Sequence, residues 1–268
     1  MPQLTSPRVI LFDWHGTLVD TFEPMYRAVD EVLAQLARLG VAHRLLRPGH
    51  ARLIEHEMLI QHVRQHRRLP DDLKTTRQIS RTEIFEILFG ADEDAKLAVH
   101  EAFDVRYMRH FGQVRPFEPG VRAMLRSLRQ AGLTTGVLTN RRRKLLLQEL
   151  AKVDGGWQEL FDVVVCGDDV PRRKPAPDIV LRACADLGVA PERAIWFVGD
   201  STTDTTAAKE AGVTAIYYNG AKWAPAHLVR IFPGSHRPDA IAADFAALQA
   251  LALPHRSPPA SARKTMPA

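Results

Sequence analysis

The chain has 268 residues and a formal charge of +5; 46% of the residues are apolar, 25% charged and 7% aromatic. That length fits one α/β domain with a smaller insert, or two modest domains, around a mainly aliphatic core. No stretch approaches the roughly 20 apolar residues of a membrane span, and Arg256, Arg263 and Lys264 near the end supply three of the positive charges, leaving +2 elsewhere, which argues against a nucleic-acid partner and is compatible with a small anionic one.

The first element is Val9-Ile10-Leu11-Phe12, a fully apolar run of the kind found in parallel sheets covered on both faces. It ends in Asp13, so the opening residues make no signal peptide. Residues 21–116 then lack a convincing strand and carry amphipathic stretches near Pro24–Leu39, His50–His66, Arg81–Phe89 and Glu93–Phe111. They read as a helical insert, with Pro116-Phe117-Glu118-Pro119-Gly120 as the returning linker. Strand runs follow at Leu133–Leu138, Phe161–Cys166, Ala194–Val198 and Val213–Tyr218. Helical patterns at Val121–Ala131, Arg142–Val153, Pro177–Leu187 and Asp204–Ala211 alternate with them. Gly132, Gly188 and Gly212 each stand just past a helix, the place of a C-terminal glycine. Strict alternation of this kind predicts a doubly wound parallel α/β sheet. The division expected is therefore an α/β core over 1–20 and 117–253, a helical unit over 21–116, and a Pro/Ser/Ala-rich disordered tail over 254–268. Cys166 and Cys184 have no paired spacing, which predicts free thiols and a cytoplasmic location.

Four polar clusters fall at carboxyl ends of predicted strands, the edge at which open α/β sheets bind ligands. Asp13-Trp14-His15-Gly16-Thr17 places a carboxylate able to attack phosphorus beside a glycine turn whose N–H groups can cradle an anion. Thr139-Asn140 offers a hydroxyl and an amide at a helix start, which could form an anion site but taken alone read better as plain N-caps. Lys174, between Arg173 and Pro175, can neutralise phosphate as a point charge, although most surface lysines do nothing specific. Gly199-Asp200-Ser201-Thr202-Thr203-Asp204 sets two carboxylates at a strand-to-helix junction. They read as oxygen ligands for Mg²⁺ in preference to a simple acidic cap.

In order and strand context these clusters resemble the four motifs of the haloacid dehalogenase superfamily, over Val9 to about Leu253. The insert resembles that family's helical cap. Gly167-Asp168-Asp169-Val170-Pro171, Lys174-Pro175 and Arg237-Pro238-Asp239-Ala240-Ile241 are similar to phosphoglycolate phosphatase-like members. The resemblance implies a Rossmann-like core and a Mg²⁺-dependent phosphate monoester hydrolase acting on a small phosphorylated metabolite. Within it Asp13 would be nucleophile and metal ligand, Asp200 the second carboxylate on the metal, and the His15 backbone carbonyl a third ligand. Asp204 would support the metal site, Thr139, Asn140 and Lys174 would hold the phosphoryl group, and Thr17 would position Asp13.

One position departs from the pattern. Phosphatases of the family usually carry a second Asp two residues after the nucleophile, where this chain has His15. His15 could do the same acid/base work, since imidazole exchanges protons near neutral pH. It could instead mark a catalytically weak phosphate-binding or regulatory protein. Or the chain could cleave C–P or C–halogen bonds, as members without that Asp do; the Asp-Trp-x-Gly-Thr opening resembles the phosphonoacetaldehyde hydrolases, which use a cap lysine, and the cap here has Lys74 and Lys96. The intact second carboxylate pair favours metal-assisted phosphoryl chemistry and the first reading. Three further features stay open: His62 and His66 as a metal pair or a solvated helix face, Arg141-Arg142-Arg143-Lys144 as an anion attractor or a solvated turn, and Trp14 at the pocket mouth or packed beneath the cap.

Overall fold

The fold is described from a computed structural model over residues 4–50, 54–76, 79, 81–232, 234 and 237–253. The expected tail, 254–268, lies outside the described residues.

β1 (Val9–Phe12) is the apolar run that opens the chain. A two-residue strand, β2 (Val19–Asp20), leads into α1 (Phe22–Leu33), α2 (Ile54–His66), α3 (Asp71–Thr76), α4 (Arg81–Phe89) and α5 (Glu93–His110). The chain returns through β3 (Arg115–Pro116), which pairs antiparallel with β2. β3 corrects the expectation that residues 21–116 hold no strand: a two-residue ladder is too short to have a period. It is fastened by Arg115, whose Nη2 lies 2.9 Å from Asp20 Oδ2, while Asp20 Oδ1 accepts the Phe22 N–H that opens α1.

Then α6 (Val121–Gln130), β4 (Thr134–Thr139), α7 (Arg143–Lys152), β5 (Val163–Cys166), α8 (Asp178–Asp186), β6 (Ile195–Gly199), α9 (Thr202–Glu210) and β7 (Thr214–Tyr218) alternate as the pattern predicts. The chain ends in α10 (Pro225–Ile231), β8 (Ala240–Ala242) and α11 (Phe245–Ala252). α3, α10 and β8 were not expected, because each is short and borrows its stability from packing. Gly132, Gly188 and Gly212 all take positive φ at the helix ends where they were placed.

The main sheet is six-stranded and parallel in the order β5-β4-β1-β6-β7-β8. Alternation along each strand sorts its side chains. Ile10, Phe12, Val137 and Val198 face one cluster with α6, α7 and α11 residues; Leu11, Leu138, Val165 and Phe197 face another with α8 and α9. On α6 the buried Val121, Met124, Leu125 and Leu128 follow the helical period, each stabilising by roughly 1.5–3 kcal/mol. The helices α1 to α5 bury a separate cluster, including Val29, Val32, Ile60, Phe85, Leu88 and Val99. Among the described residues no helix is long and apolar enough to cross a membrane, and both cysteines are free and buried.

Candidate active site

The chain runs outward from β1 to β4 and β5, then returns beside β1 as β6 and runs outward the other way. At such a reversal the connections leave on opposite faces and a crevice opens at the carboxyl edge. Asp13 follows β1, Thr139 ends β4 and Asp200 follows β6, so three adjacent strands deliver three of the predicted residues to that crevice. The Asp13 N–H donates to Val198 O at 2.8 Å, continuing the β1–β6 ladder one residue into the site.

Lys174 arrives from the loop after β5 and is buried. Its Nζ lies 2.5 Å from Asp13 Oδ1, 2.7 Å from Asp204 Oδ1 and 3.2 Å from the Leu138 carbonyl. These partners outweigh the burial that opposes its charge and hold the ammonium above its ordinary pKa. Asn140, expected at the phosphate, spends its amide on Lys174 instead. Its Oδ1 accepts the Lys174 N–H at 2.9 Å and its Nδ2 donates to the Lys174 carbonyl at 3.0 Å. The geometry therefore makes Asn140 a clamp that positions the lysine.

Thr139 is buried, and its Oγ1 accepts the Arg141 N–H at 3.2 Å. Neither Thr139 nor Asn140 caps a helix: α7 begins at Arg143, three residues after Asn140, with Arg142 at the cap position. The Arg143 N–H that opens α7 donates to Asp168 at 2.8 Å, so that N–H is already used from the next loop. Arg143 also grips Asp169 with its guanidinium, whereas Arg142 is exposed, so the basic run splits into separate tasks.

Thr17 was expected to position Asp13. Its hydroxyl instead donates to Asp200 Oδ1 at 3.3 Å. Gly16, at φ +80°, lets Asp200 pack on the loop: a Cβ there would sit 2.3 Å from Asp200 Oδ2. Asp204 caps α9 and also faces the lysine. Its Oδ2 accepts from the Ser201 N–H and Oγ in a capping box at the start of α9, and its Oδ1 faces Lys174.

Asp13, Asp200 and Asp204 each offer an oxygen within 4.8 Å of the others. Three carboxylates around one lysine leave surplus negative charge in a poorly solvated place. Burial, reinforced by Asp204 and opposed by Lys174, pushes Asp13 up to about 6. Burial and the other two carboxylates push Asp200 well above its ordinary value. Hard oxygen donors crowded against their own repulsion suit a divalent cation. Among the described residues this is the one such group of three, so His62 and His66, their rings 4.5 Å apart and tilted at 47°, gain no third ligand.

His15 follows Asp13 by two residues, and one edge of its ring is tied to α7. Its Nε2 lies 2.9 Å from Glu149 Oε2, which also accepts the Trp14 indole N–H at 2.9 Å. Trp14 is fully buried edge-on against Trp157, not at a pocket mouth. Arg141 lies 3.5 Å from the same Glu149 oxygen and reaches the Tyr107 hydroxyl of α5 at 3.4 Å. Burial first, then the Arg141 charge, lowers the His15 pKa to about 4, so the imidazole is neutral near pH 7. Glu149, despite complete burial, is held below its ordinary value by His15, Arg141 and Trp14. Sequence reading missed Glu149. The signal was present as an acid on the stripe Leu146, Glu149, Leu150, Val153, which is otherwise apolar.

The cap lysines are spent elsewhere. Lys74 pairs with Asp30 at 2.6 Å, and Lys96 pairs with Glu86 at 2.8 Å and Glu93 at 2.7 Å.

Known proteins resemble this chain in sequence and in fold. Residues 7–212 match the haloacid dehalogenase-like hydrolase family. The chain is 30% identical over 222 residues to a phosphoglycolate phosphatase of Salmonella paratyphi A, covering 81% of this chain and 82% of the relative. It is 29% identical over 210 residues to one from Xanthomonas campestris pv. campestris, covering 78% and 82%. A haloacid dehalogenase-superfamily hydrolase structure from Geobacter sulfurreducens superposes with a TM-score of 0.56 at 21% identity, covering 92% of this chain and 96% of that one. One from Deinococcus radiodurans R1 superposes at 0.59 with 20% identity, covering 93% and 96%. The family match and the matching fold carry one conclusion: this chain belongs to the haloacid dehalogenase-like hydrolases.

Proposed function

We propose that the chain is a Mg²⁺-dependent phosphatase that hydrolyses a small phosphate monoester, of the phosphoglycolate type, through a phosphorylated Asp13. The observation that carries this is the meeting of Asp13, Lys174, Asp200 and Asp204 at the sheet reversal, with Thr139 at the adjoining strand end. The similarity to phosphoglycolate phosphatases supports the substrate class.

Asp13, Asp200 and Asp204 are the side chains that would hold the ion. When bound, Mg²⁺ supplies positive charge that lets a carboxylate approach a phosphate and stabilises the charge of the transition state. Lys174 holds Asp13 by one oxygen and adds a second positive charge beside the phosphoryl group. Asp13 forms a bond to phosphorus as the ester P–O bond breaks, and water then attacks the same phosphorus, restoring Asp13 and releasing phosphate. His15 passes a proton to the departing oxygen and takes one from the attacking water. A neutral imidazole can obtain its first proton from the substrate, because phosphate monoesters have a second ionisation near roughly pH 6. Residues 21–116 act as a cap that selects the organic part of the ester, with Tyr107 and Arg141 at one contact between it and the core. Cys166 and Cys184 as free thiols support a cytoplasmic location.

Lys74 and Lys96 sit in ion pairs within the helical segment, which weighs against a lysine-dependent C–P cleavage. The proposal is tested by release of phosphate from 2-phosphoglycolate and p-nitrophenyl phosphate. Turnover that requires Mg²⁺ and disappears in Asp13→Asn supports it; no turnover with either ester contradicts it.

A further inference from the structure

Glu149 is the most unusual charged residue outside the carboxylate cluster. It lies on α7, its side chain has no exposed surface, and its neighbours are His15, the Trp14 indole and, at 3.5 Å, Arg141. A buried carboxylate is strongly disfavoured unless it is paired and hydrogen-bonded. Holding the Trp14 indole N–H would not justify that cost, since any neutral acceptor could do it. Both short contacts of Glu149 fall on one oxygen, Oε2, and both partners flank the nucleophile's own loop, at Trp14 and His15. An ionised carboxylate only accepts, so His15 Nε2 must carry the hydrogen. Among the described residues Nδ1 has no hydrogen-bond partner, and the ring keeps about a fifth of its side-chain surface exposed (22%) while its Glu149 partner has none.

We propose that Glu149 is a positioning residue for His15: it fixes the imidazole as the Nε2–H tautomer and turns Nδ1 toward the reacting phosphate. This rests on the proposed phosphatase reading and deepens it. A two-residue relay, built from α7 and the loop after β1, would replace the side chain that usually follows the nucleophile. The relay needs a carboxylate at Glu149 because a lone imidazole exchanges its two tautomers freely and swings about its side-chain torsions.

The first test uses the unaltered protein. Imidazole ¹⁵N NMR should show His15 with a protonated Nε2 and a bare Nδ1; the reverse tautomer, or a rapid mixture of both, would overturn the proposal. This readout is independent of turnover, so it stands even if the phosphatase reading fails. The second test is Glu149→Gln, which keeps the shape and an acceptor for Trp14. Loss of a positioned acid/base group costs on the order of 10²-fold. We expect kcat on 2-phosphoglycolate to fall by about that factor with KM nearly unchanged. On p-nitrophenyl phosphate, whose leaving group needs no proton, the fall should be only a few-fold. In a His15→Ala background Glu149→Gln should cost nothing further. Equal losses on both esters, or an undiminished loss in the His15→Ala background, would assign Glu149 a structural role only.

Discussion

Replacing Lys174 with Met removes the one cation that separates Asp13 from Asp204. Two charge-assisted contacts are lost, at 2.5 and 2.7 Å, in a place where Lys174 is almost wholly buried. Breaking a buried pair from one side costs about 3–5 kcal/mol, because the remaining charge stays behind unpaired. Here the charge left behind can escape. Asp13 is already pushed up to about 6 with the lysine in place, and removing the lysine pushes it further. Once it takes up a proton the penalty stops growing, so the lower end, about 3 kcal/mol at pH 7 in metal-free buffer, is expected. The sign with pH follows. A carboxyl whose folded pKa exceeds its unfolded value loses stability as pH rises from the unfolded pKa to the folded one. The variant extends that interval upward, so its deficit should be small near pH 5 and largest near pH 8. Urea unfolding followed by fluorescence of the buried Trp14, Trp157 and Trp196 measures it. A Lys174→Met protein as stable as wild type, or a deficit that does not change with pH, would refute the electrostatic account of the cluster.

Two smaller predictions concern the scaffold. Gly16→Ala must displace the Asp200 carboxylate, because its Cβ would fall 2.3 Å from Oδ2, and it also strains a φ of +80°. A loss of about 2–4 kcal/mol in urea unfolding and weakened Mg²⁺ binding by calorimetry are expected. At the opposite edge, Asp239 sits 2.6 Å from Arg193 and 2.8 Å from Lys209 and accepts the Ala215 N–H. Burial opposes its charge, but these partners hold it below the ordinary carboxylate value. That stabilisation is present above the unfolded pKa and is lost as pH falls through the folded one, so Asp239→Asn should cost about 1–2 kcal/mol at pH 7 and progressively less as the pH is lowered below the unfolded value.

The α/β core was readable because its strands are apolar runs such as Val9–Phe12 that bury side chains on both faces, and because Gly132, Gly188 and Gly212 punctuate its helices. α4 was located at Arg81–Phe89 from its pattern alone. The two-residue ladder of β2 and β3 was not, since its pairing joins residues nearly a hundred positions apart and leaves no local trace. At the site, residue types were legible while their partners were not. Asn140 and Thr17 were singled out as polar residues in loops after strands, and one clamps the Lys174 peptide while the other bonds Asp200. Which acceptor a hydroxyl or amide meets is decided by how neighbouring loops cross, and no spacing along one loop encodes that. Glu149 was missed for the related reason that a carboxylate inside an apolar stripe has meaning only once His15 and Trp14 are seen above it.

The central claim, covalent chemistry at Asp13, is tested most directly by trapping. The protein is mixed with 2-phosphoglycolate and Mg²⁺, quenched in acid during turnover, reduced with borohydride to mark any acyl phosphate, and mapped by mass spectrometry. The account predicts a reduced side chain at Asp13, absent without substrate and absent in Asp13→Asn. Rapid turnover with no mark at Asp13, or a mark on another carboxylate, would contradict it.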